Sequence, residues 1–376
     1  MTAFIIFGAL MILLAFLYGL ILLLALTGLL AQRKFASGST ATSPVLSVII
    51  PVRDEEQNMS ACLESIANQD LSPDRFEVII CDDFSQDSTL LKSREFTSGR
   101  PEIKWIVMSG GPGKKKAIEA AIGRATGSHI VTTDADTQRA SGWLSALIDC
   151  IERESPNMVI GPVVLSSGNS IFRKLQTLEF FGVIGITAGY ANLGLPVMCN
   201  GANLAYEKEV FNQVQGFDGN EQYVSGDDQF LLWKVKKTYG KGAVHFLWNR
   251  DAVVTVAASS GLMGFLSQRL RWVSKTRGYK DPLVLFTGAV TYLFQAGIFT
   301  GFVLGIFNPF FFYLALAFFF FKTLVDFPTV FLMAGFFRKQ NLWMWYIPAQ
   351  VFQIIYVPLT GIFAFLIPVR WKGRRI

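Results

Sequence analysis

Ile130-Val131-Thr132-Thr133-Asp134-Ala135-Asp136 is an apolar run that stops at two carboxylates one residue apart. A short β-branched run reads as a buried strand, here with a polar site at its carboxyl end. In an extended chain residues i and i+2 point to the same side. Asp134 and Asp136 can then share one hard cation, or bind metal with one carboxylate and a sugar or ribose with the other. Mg2+ and Mn2+ take oxygen ligands and are commonly completed by substrate phosphates. Solvated loop carboxylates are abundant, so the pair gains its meaning from its surroundings.

Upstream, Leu46-Ser47-Val48-Ile49-Ile50-Pro51 reads as a first buried strand, running into the loop Arg53-Asp54-Glu55-Glu56-Gln57-Asn58. Helical spacing follows from Met59 to Asn68. Phe76 to Cys81 is a second strand, closed by Asp82-Asp83. Ile103 to Met108 is a third, Lys115 to Arg124 a helix, and His129 to Thr133 a fourth strand. Apolar strands alternating with helices predict an α/β domain, a mostly parallel, Rossmann-like sheet with helices on both faces. In such sheets ligands bind beyond the carboxyl ends of the strands. Acidic clusters at 54–56, 82–83 and 134–136 each follow a strand, so they are expected to meet at one edge. A hydride-transfer enzyme on a dinucleotide fold is disfavoured, because P-V-R-D-E-E stands where G-x-G-x-x-G would follow the first strand.

The composition is split along the chain. Of 376 residues 51% are hydrophobic, 34 are Phe and only 16% are charged. Segments 4–30 and 283–367 are nearly charge-free, whereas 45–280 has the make-up of a soluble domain. Segment 4–30 is long enough to span a bilayer. It lacks the basic start, short apolar core and cleavage site of a signal peptide, so it reads as an anchor. Arg33 and Lys34 follow it, which places the next domain in the cytoplasm, at a bacterial inner (plasma) membrane. The boundaries expected are 1–34 anchor, 35–44 linker, 45–255 catalytic domain, 256–282 interfacial helix and 283–376 membrane region.

That last region holds three apolar stretches, 283–307, 309–336 and 342–367. Three spans would put the C-terminus outside, while Arg370, Lys372, Arg374 and Arg375 argue for inside. The stretch with Pro348 and Pro358 is expected to span, with a re-entrant or kinked element as the alternative. Lys322 and Asp326 stand at i, i+4, as an ion pair or as contacts to an acceptor head group. Residues 167–195 read as a core helix or a helix on the membrane surface, and 255–280 as an interfacial helix. The net charge of +6 suits an anionic membrane face and anionic substrates, and is too diffuse for nucleic acid. Cys62, Cys81, Cys150 and Cys199 form no C-x-x-C pair, which favours reduced, buried thiols. His129 and His245 are the only histidines, so a His-rich metal centre or His-based triad is not expected.

Further motifs carry chemistry, each with a plainer alternative. Asp82 and Asp83 can bond a nucleotide base and ribose, or shape a turn or helix cap. Gly110-Gly111-Pro112-Gly113-Lys114-Lys115-Lys116 offers helix-start amides and a lysine to a diphosphate, or is a solvated basic turn. Asp228, in Ser225-Gly226-Asp227-Asp228, can be a general base or a helix cap. In Gln268-Arg269-Leu270-Arg271-Trp272 helical spacing puts Gln268, Arg271 and Trp272 on one face. Arg271 suits a diphosphate and Trp272 an acceptor ring; the alternative is a membrane-surface helix with basic and aromatic anchors.

Together these strings resemble the membrane-bound, inverting family 2 glycosyltransferases of the GT-A fold. The resemblance covers about 45–275. Its strings come in family order: S-V-I-I-P-V-R-D-E-E, I-I-C-D-D-F-S, G-K-K-K-A-I, T-T-D-A-D, C-N-G-A-N-L-A-Y, V-S-G-D-D and Q-R-L-R-W. The last is specific to the membrane-embedded branch of cellulose, chitin and hyaluronan synthases and ceramide glucosyltransferases. The resemblance implies a nucleotide-diphosphate sugar donor, foremost a UDP-sugar, and a divalent metal, Mg2+ or Mn2+. It implies that Pro51, Asp54 or Glu55, Asp83 and Lys114 hold the nucleotide, and that Asp134 and Asp136 hold diphosphate and metal. Asn200, Gly201 and Asn203 would line the acceptor junction, and Asp228 beside Asp227 would be the base. Gln268, Arg271 and Trp272 would close over diphosphate and acceptor. Asp227 departs from the family, which often has Glu there. Few spans favour a single transfer to a lipid or lipid-linked acceptor over a processive polysaccharide synthase; a non-catalytic scaffold is the third reading. Membrane lipid is the expected surroundings, no nucleic acid is expected, and a protein partner is not indicated.

Overall fold

The β-branched runs become the middle of a seven-stranded sheet in the computed structural model, which describes residues 2–31, 45–223, 226–366, 370–371 and 374–375. The expected linker 35–44, with Arg33, Lys34, Ser225 and Lys372, lies outside the described residues. The chain forms two units. One comprises Gln32–Val164 and Ala191–Ala257, the other Met1–Ala31, Leu165–Tyr190 and Ala258–Ile376.

In the first unit the sheet order is β3-β2-β1-β4-β8-β6-β9. Its strands are β1 (Leu46–Val52), β2 (Phe76–Asp82), β3 (Lys104–Ser109), β4 (His129–Thr132), β6 (Met158–Ile160), β8 (Leu204–Glu207) and β9 (Val244–Phe246). β1 runs parallel to β2 and β4, and β2 to β3; only β8 is antiparallel to its neighbours β4 and β6. The carboxyl ends of β1, β2 and β4 therefore lie side by side, and the three acidic clusters follow them. A second sheet is ordered β5 (Thr137–Arg139), β10 (Val254–Ala257), β7 (Val163–Ser166).

Alternation along β1 explains the layers. Leu46, Val48, Ile50 and Val52 join one core cluster with Met59, Leu63 and Ile66 of α2 (Met59–Ala67) and Trp143, Leu144 and Leu147 of α5 (Trp143–Glu154). Ile49 between them is equally buried, and α4 (Lys114–Arg124) packs on β1 and β2. Each such Ile or Leu contributes about 1.5–3 kcal/mol by leaving water. α3 (Thr89–Ser98), α7 (Lys208–Gln213) and α8 (Asp227–Tyr239) complete the unit.

At the amino ends of the strands sits a buried carboxylate. Burial opposes the charge of Glu77, but Lys104, Ser47 Oγ (2.6 Å) and Thr126 N and Oγ1 all bond it, and hold it down at about 2. His129, on β4 across β1 from it, is pushed down to about 4 by burial.

Among the described residues the second unit contains four helices long and apolar enough to cross a membrane. They are α1 (Thr2–Leu30), α10 (Pro282–Gly305), α11 (Pro309–Phe336) and α12 (Tyr346–Leu366). α12 is continuous through Pro358, and Pro348 falls in its first turn, where no backbone N–H is required. The chain does not turn back there, against the re-entrant alternative. Residues 167–195 supply α6 (Ile171–Asn192), which packs on α1, α11 and α12. A methyl group on Gly28 would lie 1.9 Å from the Gly189 carbonyl oxygen, so α1 and α6 approach backbone to backbone, as only small residues allow. Phe181 stacks on Phe337 just after α11, and Phe172 meets Phe352 of α12 edge-on. Before α10 lies α9 (Leu262–Ser274).

Lys322 and Asp326 pair within α11 at 2.7 Å. Lys322 is fully buried, and Gln350 and Gln353 of α12 accept its other two donors at 2.5 and 2.6 Å. The Tyr18 hydroxyl of α1 donates to Asp326 at 2.5 Å. The ion-pair reading stands. The head-group alternative does not fit, because an ammonium has three donors and all three are used inside the unit.

Candidate active site

The loop after β1 is fastened to the loop after β2. Asp54, in the left-handed region at φ 49°, accepts from Gln86 N at 2.7 Å, and Glu55 N donates to Thr89 Oγ1 at 2.8 Å. Glu55 also accepts from Asn58 Nδ2 at 2.6 Å. Pro51 is half-buried in β1, opposite Cys81. Asp82 and Asp83 have different surroundings. Asp82 shapes the turn, accepting from Ser85 N at 3.1 Å and Ser85 Oγ at 2.5 Å. Asp83 is buried and accepts from Gly113 N at 2.8 Å, which ties the glycine-rich loop to the end of β2. The guanidinium of Arg53 lies 3.6 Å from the same carboxylate.

Lys114, the first residue of α4, donates to Asp134 Oδ1 at 2.7 Å and lies 3.9 Å from Asp227 Oδ2. Burial opposes its charge, but Asp134, Asp227 and Asp228 outweigh that and hold it well above the usual lysine range. Thus G-K-K-K, D-A-D and G-D-D, far apart in sequence, share one lysine. The extended geometry expected for Asp134-Ala135-Asp136 is corrected: Ala135 and Asp136 form a turn between β4 and β5. The carboxylates nonetheless sense one another. Desolvation first, then the charges of Asp134 and Glu55, push Asp136 up to about 6, although much of its surface is open to solvent. Crowded oxygen donors of this kind fit a hard cation, which would relieve their repulsion. Among the described residues no three His, Cys, Asp or Glu side chains are placed to cage an ion, so further ligands would have to come from a substrate.

Gly226 enters α8 at φ 94°, a conformation that suits glycine, and sets Asp227 and Asp228 in the first turn. Carboxylates are favoured there by the helix dipole. Asp227 is buried, facing Lys114, while Asp228 is half-buried. Asp228 Oδ2 accepts from Gly201 N at 3.1 Å and Oδ1 from Gln229 N at 2.8 Å. Asn200 Oδ1 accepts from Ala202 N at 3.0 Å, and Thr133 Oγ1 donates to Ala202 O at 2.9 Å. Asn200 and Gly201 therefore stand beside Asp228. Asn203 corrects an expectation: it is fully buried, accepting from Trp143 Nε1 and donating to Pro162 O and Ala252 O, so it braces the loop and reaches no acceptor.

Arg139 escapes the sequence reading. It is buried and donates to Cys62 O at 3.1 Å, Ser65 Oγ at 2.9 Å, Thr133 Oγ1 at 2.8 Å and Asp134 O at 3.3 Å, which fixes the D-A-D turn from below. Burial alternates along β5, Thr137 in, Gln138 out and Arg139 in, a pattern that the uniformly polar string T-Q-R does not show.

In the other unit, Gln268, Arg271 and Trp272 of α9 are half-buried, and the fully buried member of the motif is Arg269. Its guanidinium lies 4.2 Å from the Trp272 ring centroid and pairs with Glu179 of α6.

The profile described as "Glycosyl transferase family 2" matches residues 47–214. An N-acetylglucosaminyltransferase of Bradyrhizobium elkanii is 32% identical over 128 residues, 34% of this chain and 70% of that protein. The chain belongs to glycosyl transferase family 2. An N-acetylglucosaminyltransferase of Rhizobium meliloti (strain 1021) is 28% identical over 247 residues, 63% of this chain and 57% of that one. The chain spans about half to three-fifths of the length of such curated relatives. The solved mannosyltransferase of Pyrobaculum calidifontis, in complex with GDP-Man and Mn2+, superposes with a TM-score of 0.59 at 18% identity, covering 95% of this chain and 99% of that chain. At that identity the likeness establishes the fold, GT-A, with a mostly parallel central sheet.

Proposed function

We propose that this family 2 glycosyltransferase moves one sugar from a nucleotide-diphosphate sugar to a lipid or lipid-linked acceptor at a membrane, inverting the anomeric centre. The observation that carries this is the convergence of Asp134, Asp227 and Asp228 on Lys114 beyond the carboxyl ends of β1, β2 and β4. A lysine so placed can exchange a carboxylate for a diphosphate. Asp83 and the glycine-rich loop would bind the nucleotide. Asp134 and Asp136 would hold a divalent metal, Mn2+ or Mg2+, which when bound supplies charge stabilisation for the leaving diphosphate. The N-acetylglucosaminyltransferase relatives support a sugar transferase, and the GDP-Man and Mn2+ bound to the Pyrobaculum enzyme support a nucleotide sugar and a metal.

Asp228, positioned by Gly201 N, would take the proton of the acceptor hydroxyl as that oxygen attacks the anomeric carbon from the face opposite the diphosphate. The bond to the diphosphate breaks as the new one forms. Lys114 and Arg271 would neutralise the charge that develops on the departing group. Four apolar helices among the described residues support an integral membrane protein; the proposed setting is a bacterial inner membrane with the catalytic unit cytoplasmic, a side drawn from Arg33 and Lys34 in the sequence.

The test is nucleotide release from a panel of sugar nucleotides, with and without Mn2+ or Mg2+, in membranes supplied with lipid extract. Release that depends on lipid and yields a glycolipid is expected. No release with any donor would overturn the reading in favour of a non-catalytic scaffold.

A further inference from the structure

Arg269 is the most enclosed residue of the Q-R-L-R-W segment, yet helical spacing puts it off the face expected to meet substrates. Its connections run to two of the motif's own members. Nη1 donates to Gln268 Oε1 at 3.2 Å, and the guanidinium plane covers Trp272 at 4.2 Å and Phe265 at 4.6 Å. A cation over an indole face attracts the ring, which favours one tilt for Trp272. Its other side rests on Phe180 of α6, with ring centroids 6.3 Å apart.

What holds Arg269 comes from two other helices. Glu179 of α6, 6% exposed along its side chain, pairs with Nη2 through Oε2. The other oxygen of Glu179 accepts from the Tyr356 hydroxyl of α12 at 2.7 Å. The Tyr356 ring is itself packed edge-on against Phe265 and tilted against Phe352, both at 4.9 Å. A buried ion pair adds little net stability over an apolar core of the same shape, because desolvation offsets the attraction. What such a pair does set is geometry: one carboxylate faces a guanidinium on one side and a hydroxyl on the other, in a single arrangement.

We infer that Glu179 and Tyr356 are positioning residues: through Arg269 they orient Gln268 and Trp272, and so tie the motif helix to apolar helix α12. The inference rests on the transferase reading above, in which Gln268 and Trp272 close over diphosphate and acceptor. A movement of α12 that shifts the Tyr356 hydroxyl shifts Glu179, and with it the two residues Arg269 holds.

The test compares wild type with Tyr356→Phe, which removes one hydroxyl and keeps the ring contacts, and with Glu179→Gln as the stronger variant. In the full-length protein in detergent or nanodiscs, Tyr356→Phe is expected to lower kcat for transfer about three- to tenfold, the factor one hydrogen bond is worth. The donor KM is expected to stay within about twofold, since Asp83 and Lys114 are untouched; Glu179→Gln should lower kcat further. Hydrogen–deuterium exchange across Leu262–Ser274 should quicken in both variants. A lower melting temperature with kcat and exchange unchanged assigns these residues to stability alone and overturns the inference. If wild type itself transfers no sugar, the functional reading fails separately, and faster exchange across Leu262–Ser274 still decides whether Glu179 and Tyr356 position the motif.

Discussion

Lys114 lies within reach of three aspartates from two segments, and it is the residue whose loss the site would feel first. Without its ammonium, Asp134, Asp227 and Asp228 would repel one another and any incoming diphosphate. Lys114→Met is expected to raise the donor KM about ten- to hundredfold, the range of a hydrogen bond to a charged group; titration calorimetry with the nucleotide diphosphate alone should show the same loss. Asp228→Asn should abolish transfer while donor affinity stays near wild type, and near-normal turnover by that variant would sink Asp228 as base. The acidic residues and Lys114 were legible because polar groups at the ends of apolar strands are anomalous. Arg139 and Asn203 were not. Cys62 O, a partner of the one, and Trp143 Nε1, a partner of the other, are 60 or more positions away, and local spacing says nothing about them.

Among the elements, the first four strands were readable to within a residue or so, because a sheet covered on both faces demands continuous β-branched runs, while the short strands β5 to β10 gave no such run and went unread. The turn at Ala135-Asp136 was not, since nothing in D-A-D distinguishes a bend from an extended strand end. In α9 the outward face was readable and the inward Arg269 was not, because its burial depends on a carboxylate from α6. The approach of α6 to α1 gives a direct expectation. Gly189→Leu would force its side chain onto the Ala25 carbonyl, where even a methyl group comes within 2.1 Å, and should cut the yield of folded protein severely in a detergent size-exclusion assay. The sheet makes a pH prediction. Glu77 titrates near 2 when folded, below its ordinary 4.5, so its contribution is full above 4.5 and is lost as pH falls towards 2. His129 titrates near 4 when folded, below its ordinary 6.5, so the unfolded chain binds the proton first and stability falls from pH 6.5 to 4. Denaturation midpoints should drop in two stages on acidification, and His129→Phe should flatten the upper one; a wild-type midpoint constant between pH 6.5 and 4.5 would exclude that role for His129.

For the molecule as a whole, the number of apolar helices bears on the kind of product. Among the described residues four helices are long and apolar enough to span, and a single addition is the proposed product, with an export conduit for polymer as the alternative. Chromatography of the product from a radiolabelled donor should show one sugar per acceptor; a ladder of lengths would establish a processive synthase instead. The division into apolar and ordinary stretches was plain in composition, because a helix facing lipid tolerates few charges. The exceptions to that rule, Lys322 and Asp326, bear on how the protein is made. As it leaves the ribosome, α11 emerges with an ammonium whose glutamine partners have not yet been synthesised, while Tyr18 of α1 has long been waiting. In lipid such a helix is poorly tolerated alone. Integration of α11 is therefore expected to be completed only when α12 arrives, which makes α12 a checkpoint on the biogenesis of its neighbour.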